Sequence, residues 1–169
     1  MTSFIAPLAH SGFSGQWGDF RECPAGEHVI GVQLRIERGQ GRGDDTALNA
    51  IRLRCTGGKV LMSRENPYGD WGAWKLITAP DYFRGVRLRQ EREQGYWGDD
   101  TAANGLRLMT NTNVQIYPGD GHWGDWSPWA WCPPGAKIAG FKTKVYPPRG
   151  SLDDLSLTEV EFLCRGYTS

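Results

Sequence analysis

One short pattern, a tryptophan, a glycine, a variable residue and a further aromatic, occurs three times along this 169-residue chain. Nothing else in the sequence constrains the fold as strongly, because repetition at a fixed spacing means repeated structural units. The copies are Trp17-Gly18-Asp19-Phe20, Trp71-Gly72-Ala73-Trp74 and Trp123-Gly124-Asp125-Trp126, at spacings of 54 and 52 residues. An acidic landmark follows each. Asp44-Asp45-Thr46-Ala47-Leu48-Asn49 returns as Asp99-Asp100-Thr101-Ala102-Ala103-Asn104 and, in weaker form, as Asp153-Asp154-Leu155-Ser156-Leu157-Thr158. Three units at approximately 1–57, 58–112 and 113–169 therefore fill one domain, with no linker between them.

Within each unit the apolar period is two, the signature of strands with one buried face. Val32, Leu34 and Ile36 alternate with Gln33, Arg35 and Glu37; Val86 and Leu88 alternate with Arg87 and Arg89; Phe141, Thr143 and Val145 alternate with Lys142 and Lys144. After the acidic pairs, Ile51 and Leu53, Leu106 and Leu108, and Val160 and Phe162 repeat the alternation. Shorter strands are expected at 59–63, at 113–117 and in the Trp-Gly segments, about four strands per unit. The 23 glycines fit short strands and tight turns. A four-stranded sheet with one apolar face cannot bury that face alone, so the three must pack around a common axis as a three-sided prism. Asn49, Asn104 and Thr158 hold equivalent inward positions and are expected to be structural, each with a hydrogen-bond partner.

The cysteines carry the same symmetry. Cys23 and Cys55 lie 32 residues apart, as do Cys132 and Cys164, which among the three possible connectivities favours Cys23–Cys55 and Cys132–Cys164. Counting back 32 residues from Thr110 assigns Thr78 and Thr110 to the corresponding positions of the second unit. Paired cysteines imply an oxidising compartment, hence an extracellular, secreted setting. The opening MTSFIAPLAH has neither the basic flank nor the apolar core of a secretory signal, and no apolar run approaches the ~18 residues of a transmembrane segment.

Taken together, the Trp-Gly segments, Cys23-Pro24-Ala25-Gly26 with its partial match at Cys132 to Gly135, and above all Asp44 to Cys55 (DDTALNAIRLRC) resemble the vitelline membrane outer layer protein I family over nearly the whole chain. The resemblance implies an all-β fold, a β-prism of three four-stranded Greek-key sheets with pseudo-three-fold symmetry. It also implies a secreted coat or matrix protein, with an oligosaccharide-related activity as the catalytic alternative. The second unit departs from the pattern in lacking a cysteine pair.

Catalytic and metal chemistry find little support. Adjacent residues of a strand point to opposite faces, so Asp44 and Asp45, or Asp99 and Asp100, are poorly placed to flank one glycosidic bond. The acidic pairs are expected to organise turns. His10, His28 and His122 share no metal-binding spacing, and no metal or cofactor is expected. Arg42-Gly43-Asp44 spells an adhesion tripeptide, but its Gly-Asp belongs to the repeat. The run Arg89 to Gln94 is expected to be a solvated hairpin tip. Lysine plus arginine equal aspartate plus glutamate at 19 each, which removes the broad positive field that nucleic-acid binding uses, so no nucleic-acid partner is expected.

The aromatics are more informative. Trp17, Trp71 and Trp123 are expected to pack at sheet corners. The third unit has three more residues than the first between its Trp-Gly segment and its cysteine, so Trp129 and Trp131, with Trp126 beside them, stand as additions to the shared fold. Tyr96 and Trp97 precede Asp99, and the Gly95-x-x-x-Asp99 spacing is similar to the binding-loop motif of jacalin-like prism lectins. Aromatic faces beside carboxylates suit a pyranose, which stacks its apolar face and hydrogen-bonds its hydroxyls. The sites expected for a glycan or glycoprotein partner are Tyr96, Trp97, Asp99, Trp126, Trp129 and Trp131. The reading is a non-catalytic, lectin-like protein. The alternatives are an oligosaccharide-processing enzyme resembling a chitooligosaccharide transferase, and a glycan-targeting module of a toxin.

Overall fold

The computed structural model describes residues 2–10, 15–37, 47–65, 67, 69–91, 103–120, 124–145 and 157–166. They form fifteen strands and, among the described residues, no helix. The central hairpins are β4 (Val29–Glu37) with β5 (Ala47–Cys55), β9 (Phe83–Gln90) with β10 (Ala103–Thr110), and β14 (Ala136–Val145) with β15 (Leu157–Gly166). Each belongs to one repeat and forms the middle of one antiparallel sheet; we number the sheets first, second and third in that order. Val32, Leu34, Leu53, Val86, Leu88, Leu106, Leu108, Phe141, Val160 and Phe162 turn inward and are buried in one shared core, as the two-residue period requires.

The sheet edges come from elsewhere. β6 (Val60–Met62) flanks β5 and β11 (Gln115–Asp120) flanks β10, but the matching place beside β15 is taken by the N-terminal strand β1 (Thr2–Ile5). The opposite edge of each sheet is shared by two two-residue strands from the Trp-Gly segment of the next repeat. These are β7 (Asp70–Trp71) and β8 (Lys75–Leu76) on β4, β12 (Asp125–Trp126) and β13 (Ala130–Trp131) on β9, and β2 (Gln16–Trp17) and β3 (Arg21–Glu22) on β14. Each repeat therefore reaches into its neighbour's sheet. Strand order 6-5-4-7 and 11-10-9-12 is a Greek key, and the third sheet, 1-15-14-2, completes its key by bringing the N-terminal segment onto the last hairpin.

Symmetry extends to irregularities in the strands. Ile30, Arg84 and Ala139 are extra residues in β4, β9 and β14, and Asn49, Asn104 and Thr158 are extra residues in β5, β10 and β15. Such β-bulges bend and twist a strand, which lets three sheets curve around one core. Thr158 Oγ1 donates to the Lys144 carbonyl at 3.1 Å. Against expectation, among the described residues Asn104 has no hydrogen-bond partner for either amide atom, and Asn49 has none for its NH2 group.

Both expected disulfides are formed. Cys23–Cys55 joins the segment after β3, on the third sheet, to the first sheet; Cys132–Cys164 joins the segment after β13, on the second sheet, to the third. The third equivalent position corrects the count from Thr110. Cys23, Cys132 and Ile77 each donate their backbone N–H to the carbonyl of the residue preceding Gly140, Gly85 and Gly31. Ile77 therefore stands in for the missing cysteine, packed against the core, while Thr78 is exposed. The offset arises because Gly85 to Thr110 is one residue longer than Gly31 to Cys55.

Candidate functional site

Pairing register also corrects the tryptophan repeat. Trp17 stands opposite Lys144, Trp71 opposite Arg35 and Trp126 opposite Arg89, each four residues beyond the repeated glycine of its host strand. The third copy of the repeated tryptophan is thus Trp126, not Trp123, which lies outside the described residues. A glycine with positive φ precedes each by two residues: Gly15, Gly69 and Gly124, at φ 141°, 98° and 100°. From Trp126 to Cys132 is six residues, as from Trp17 to Cys23, so the third unit has no insertion. Trp129 corresponds to Phe20 and Trp74, and Trp131, where the other units have Glu22 and Leu76, is the aromatic peculiar to the second sheet's edge.

The outward face of that sheet carries a continuous series of rings and guanidiniums. Arg107 lies between Tyr117 and Trp126, its guanidinium carbon 4.4 Å and 4.3 Å from their ring centres. Arg87 bridges Trp126 at 4.9 Å and Trp129 at 5.2 Å. Trp129 stacks on Trp131 with ring centres 5.3 Å apart, and Arg84 covers Trp131 at 4.4 Å. Each contact is a cation–π or aromatic pair, worth about 0.5–1.5 kcal/mol. Tyr117 and Trp131, 51% and 42% exposed, bound the series; Trp126 and Trp129 are half-buried.

Local sequence explains the placement. Period two sends Arg87, Arg89 and Arg107 outward. Gly85 leaves the outer face of β9 bare beside Trp131, where a Cβ would collide with the indole. Arg89 Nε donates to the Gly124 carbonyl, as Arg35 Nε does to Gly69, fixing the entry to each Trp segment. Ser127 returns two bonds to Leu88, backbone to backbone at 2.9 Å and N–H to Oγ at 3.1 Å. Trp126 lies beside Arg89, near the end of β9, and Trp131 lies beside Gly85, about 13 Å further along the strand.

Pairing across the strands differs among the three sheets. On the first sheet the corresponding tryptophan, Trp71, lies 4.0 Å from Arg52, which also makes a two-point bond to Glu65. On the third, Lys142 and Lys144 approach Trp17 and face Glu161 and Glu159 across the strands. On the second, the residue facing Arg87 is Arg107. Burial, and secondarily the charge of Arg107, hold the Arg87 guanidinium below its ordinary pKa. Asp125 on the adjoining segment accepts from His10 Nε2 at 3.1 Å when that nitrogen carries a proton.

Of the six expected sugar-site residues, Trp126, Trp129 and Trp131 are brought together; Tyr96, Trp97 and Asp99 lie outside the described residues, as do the acidic pairs. The cationic partners Arg84, Arg87 and Arg107 and the ring of Tyr117 were absent from the expected set. The alternation in β9 and β10 signals that the arginines face outward, but their neighbours depend on how the edge segments cross. Arg89 and Gln90, expected in a solvated tip, are strand residues; Gln90 is fully buried, accepting from the Ala9 and His10 N–H groups and donating to the Thr158 carbonyl.

Comparison with known proteins places the chain in a family. The family profile described as "Vitelline membrane outer layer protein I" matches residues 5–116 and 113–169. The chain belongs to this family. It is 38% identical over 161 residues to the human vitelline membrane outer layer protein 1 homolog, covering 89% of this chain and 78% of the relative. Solved structures share the fold at low identity. The agglutinin of Calystegia sepium superposes with TM-score 0.65 at 14% identity, covering 99% of this chain and 98% of its own. A mannose-binding jacalin-related lectin from Ananas comosus does so with TM-score 0.59 at 13% identity, covering 99% and 98%.

Proposed function

We propose that this protein is a non-catalytic, extracellular carbohydrate-binding protein of coat or matrix type, and that sugar docks on the outer face of the second sheet. The observation that carries the reading is the stack of Trp126, Trp129 and Trp131 with Arg84 and Arg87. It offers the exposed ring of Trp131 and the accessible edges of Trp126 and Trp129 to the apolar side of a pyranose, with guanidinium donors for its oxygens. Membership of a family named for the outer layer of the vitelline membrane supports a coat role. The mannose-binding lectin among its fold relatives supports sugar as ligand, and the two disulfides support an oxidising, extracellular setting. Tyr96, Trp97 and Asp99 are proposed to extend the same site.

A glycan array tests this reading, followed by titrations of Trp129→Ala, Trp131→Ala and Asp99→Ala. Binding to a defined set of oligosaccharides, weakened about tenfold or more by either tryptophan variant, is expected. Absence of binding to every oligosaccharide would reject sugar recognition. Incubation with N-acetylglucosamine oligomers, read by mass, should leave their lengths unchanged; altered lengths would favour the enzyme alternative.

A further inference from the structure

We infer that Trp71 and Trp126 are modification sites, each accepting one mannose at the C2 carbon of its indole. The inference rests on the extracellular setting of the reading above and not on its ligand. Of the eight tryptophans, Trp71, Trp123 and Trp126 each stand three residues before another, at Trp74, Trp126 and Trp129. Trp-x-x-Trp is the spacing at which mannosyltransferases of the secretory route act on the first tryptophan of the pair. The two disulfides fit a chain that folds in that oxidising route. Trp123 shares the spacing and lies outside the described residues.

Pseudo-three-fold symmetry separates this spacing from the needs of the fold. Trp17, Trp71 and Trp126 occupy the same edge position, opposite Lys144, Arg35 and Arg89. Three residues further on, the third sheet has Phe20 where the first and second have Trp74 and Trp129. Phe20 packs there against Phe4 with ring centres 4.9 Å apart, so a phenyl ring serves the prism at this position and the second tryptophan is an addition. The fold also tolerates the product. Trp71 and Trp126 are half-buried on the outer faces of their sheets and stand outside the shared core, so a hexose on either has no need to enter it. Arg52 and Arg107 lie over the two ring faces, 4.0 and 4.3 Å from the centres. C2 is at the ring's edge and its new bond lies in the ring plane, so these cation–π contacts survive.

The step balances without an outside oxidant or reductant. Its donor is mannose carried on a lipid phosphate. The indole C2 attacks the anomeric carbon, the C1–O bond breaks with its electrons leaving on the phosphate, and the C2 proton departs to a base, restoring the aromatic ring. The extended chain is the substrate, because recognition reads residue spacing and the rings are reached before the strands close beside them.

Residue-resolved mass spectrometry tests this on the full chain secreted from animal cells behind a leader sequence, beside the same chain from cells lacking tryptophan mannosyltransferase. One added hexose is expected on Trp71 and one on Trp126, with none on Trp17 or Trp74 and none from the deficient cells. Because the link is a C–C bond, collisional fragmentation should leave the hexose on the indole, where an O-linked sugar would be stripped. Trp74→Phe should abolish the addition at Trp71 alone and Trp129→Phe at Trp126 alone, while Phe20→Trp should create it at Trp17. Bare Trp71 and Trp126 in secreted chains with both disulfides formed would overturn the inference and leave the extracellular reading standing. Addition that persists in Trp74→Phe and Trp129→Phe would overturn it too. Secreted chains whose cysteines stay reduced would reject the setting and the inference together.

Discussion

Arg87 and Arg107 occupy directly opposing positions on β9 and β10, whereas the equivalent pair in the third sheet is Lys142 and Glu161. Two cations opposed in this way cost about 0.2–1 kcal/mol relative to a neutral pair, and their contacts with Trp126 offset that. Arg87→Gln is therefore expected to hold stability within about 1 kcal/mol of the parent in urea denaturation. Trp126→Ala removes the ring both arginines share and should cost about 2–4 kcal/mol. A large loss for Arg87→Gln would mean that the like-charge pair is stabilised by something other than the rings.

Gly85 and Trp131 form a second test. A Cβ at position 85 would meet the indole, so Gly85→Ala should cost about 1–3 kcal/mol through overpacking. Trp131→Ala, at a ring that keeps 42% of its surface in solvent, should cost less than about 1.5 kcal/mol. In the double variant the glycine penalty should mostly disappear. Additive losses would show that the strain lies in the β9 backbone and not against the ring.

The register of the second unit can be tested covalently. Ile77→Cys with Thr110→Cys should oxidise to a third disulfide, visible by mass under non-reducing conditions, and raise stability by roughly 3–4 kcal/mol. Thr78→Cys with Thr110→Cys should leave both thiols alkylatable.

His28 predicts a pH dependence. It is 6% exposed, its Nε2–H donates to the Asp81 carbonyl at 2.9 Å, and burial, with a smaller contribution from Lys137, lowers its pKa from 6.5. The unfolded chain then binds this proton more readily than the folded one. Its contribution is intact above 6.5, and stability falls as pH drops through that value towards the lower folded one. His28→Gln should flatten this part of the curve of unfolding free energy against pH. An unchanged slope would assign it to other groups.

Asn104 gives the fifth prediction. Fully buried and, among the described residues, without partners for its amide, it should be replaceable by leucine with a gain of about 1–2 kcal/mol. A loss of that size would show that the amide is satisfied in solution.

The hairpins, the shared core and the disulfides were legible because each leaves a local or arithmetic trace: alternation in Val32 to Ile36, and the equal spacing of the cysteines. The edges were not. Pairing between Trp126 and Arg89 is a contact between repeats, and Trp123-Gly124 imitates the motif while the positive φ at Gly124 sets the true register. Likewise β1 carries no repeat signature, because its place beside β15 follows from closure of the prism. At the site, the rings were visible in the sequence and the cations were not, since outward arginines read as ordinary solvated residues until the crossing segments lay over them.

The most direct test of the account is a nitrogen-15 NMR titration with the oligosaccharide bound most tightly on the glycan array, following the indole N–H signals. The account predicts that Trp126, Trp129 and Trp131 shift together and saturate with one affinity, while Trp17 and Trp71, on the other two sheets, stay unmoved. Shifts centred on Trp17 or Trp71, or no indole shift at saturating ligand, would contradict it.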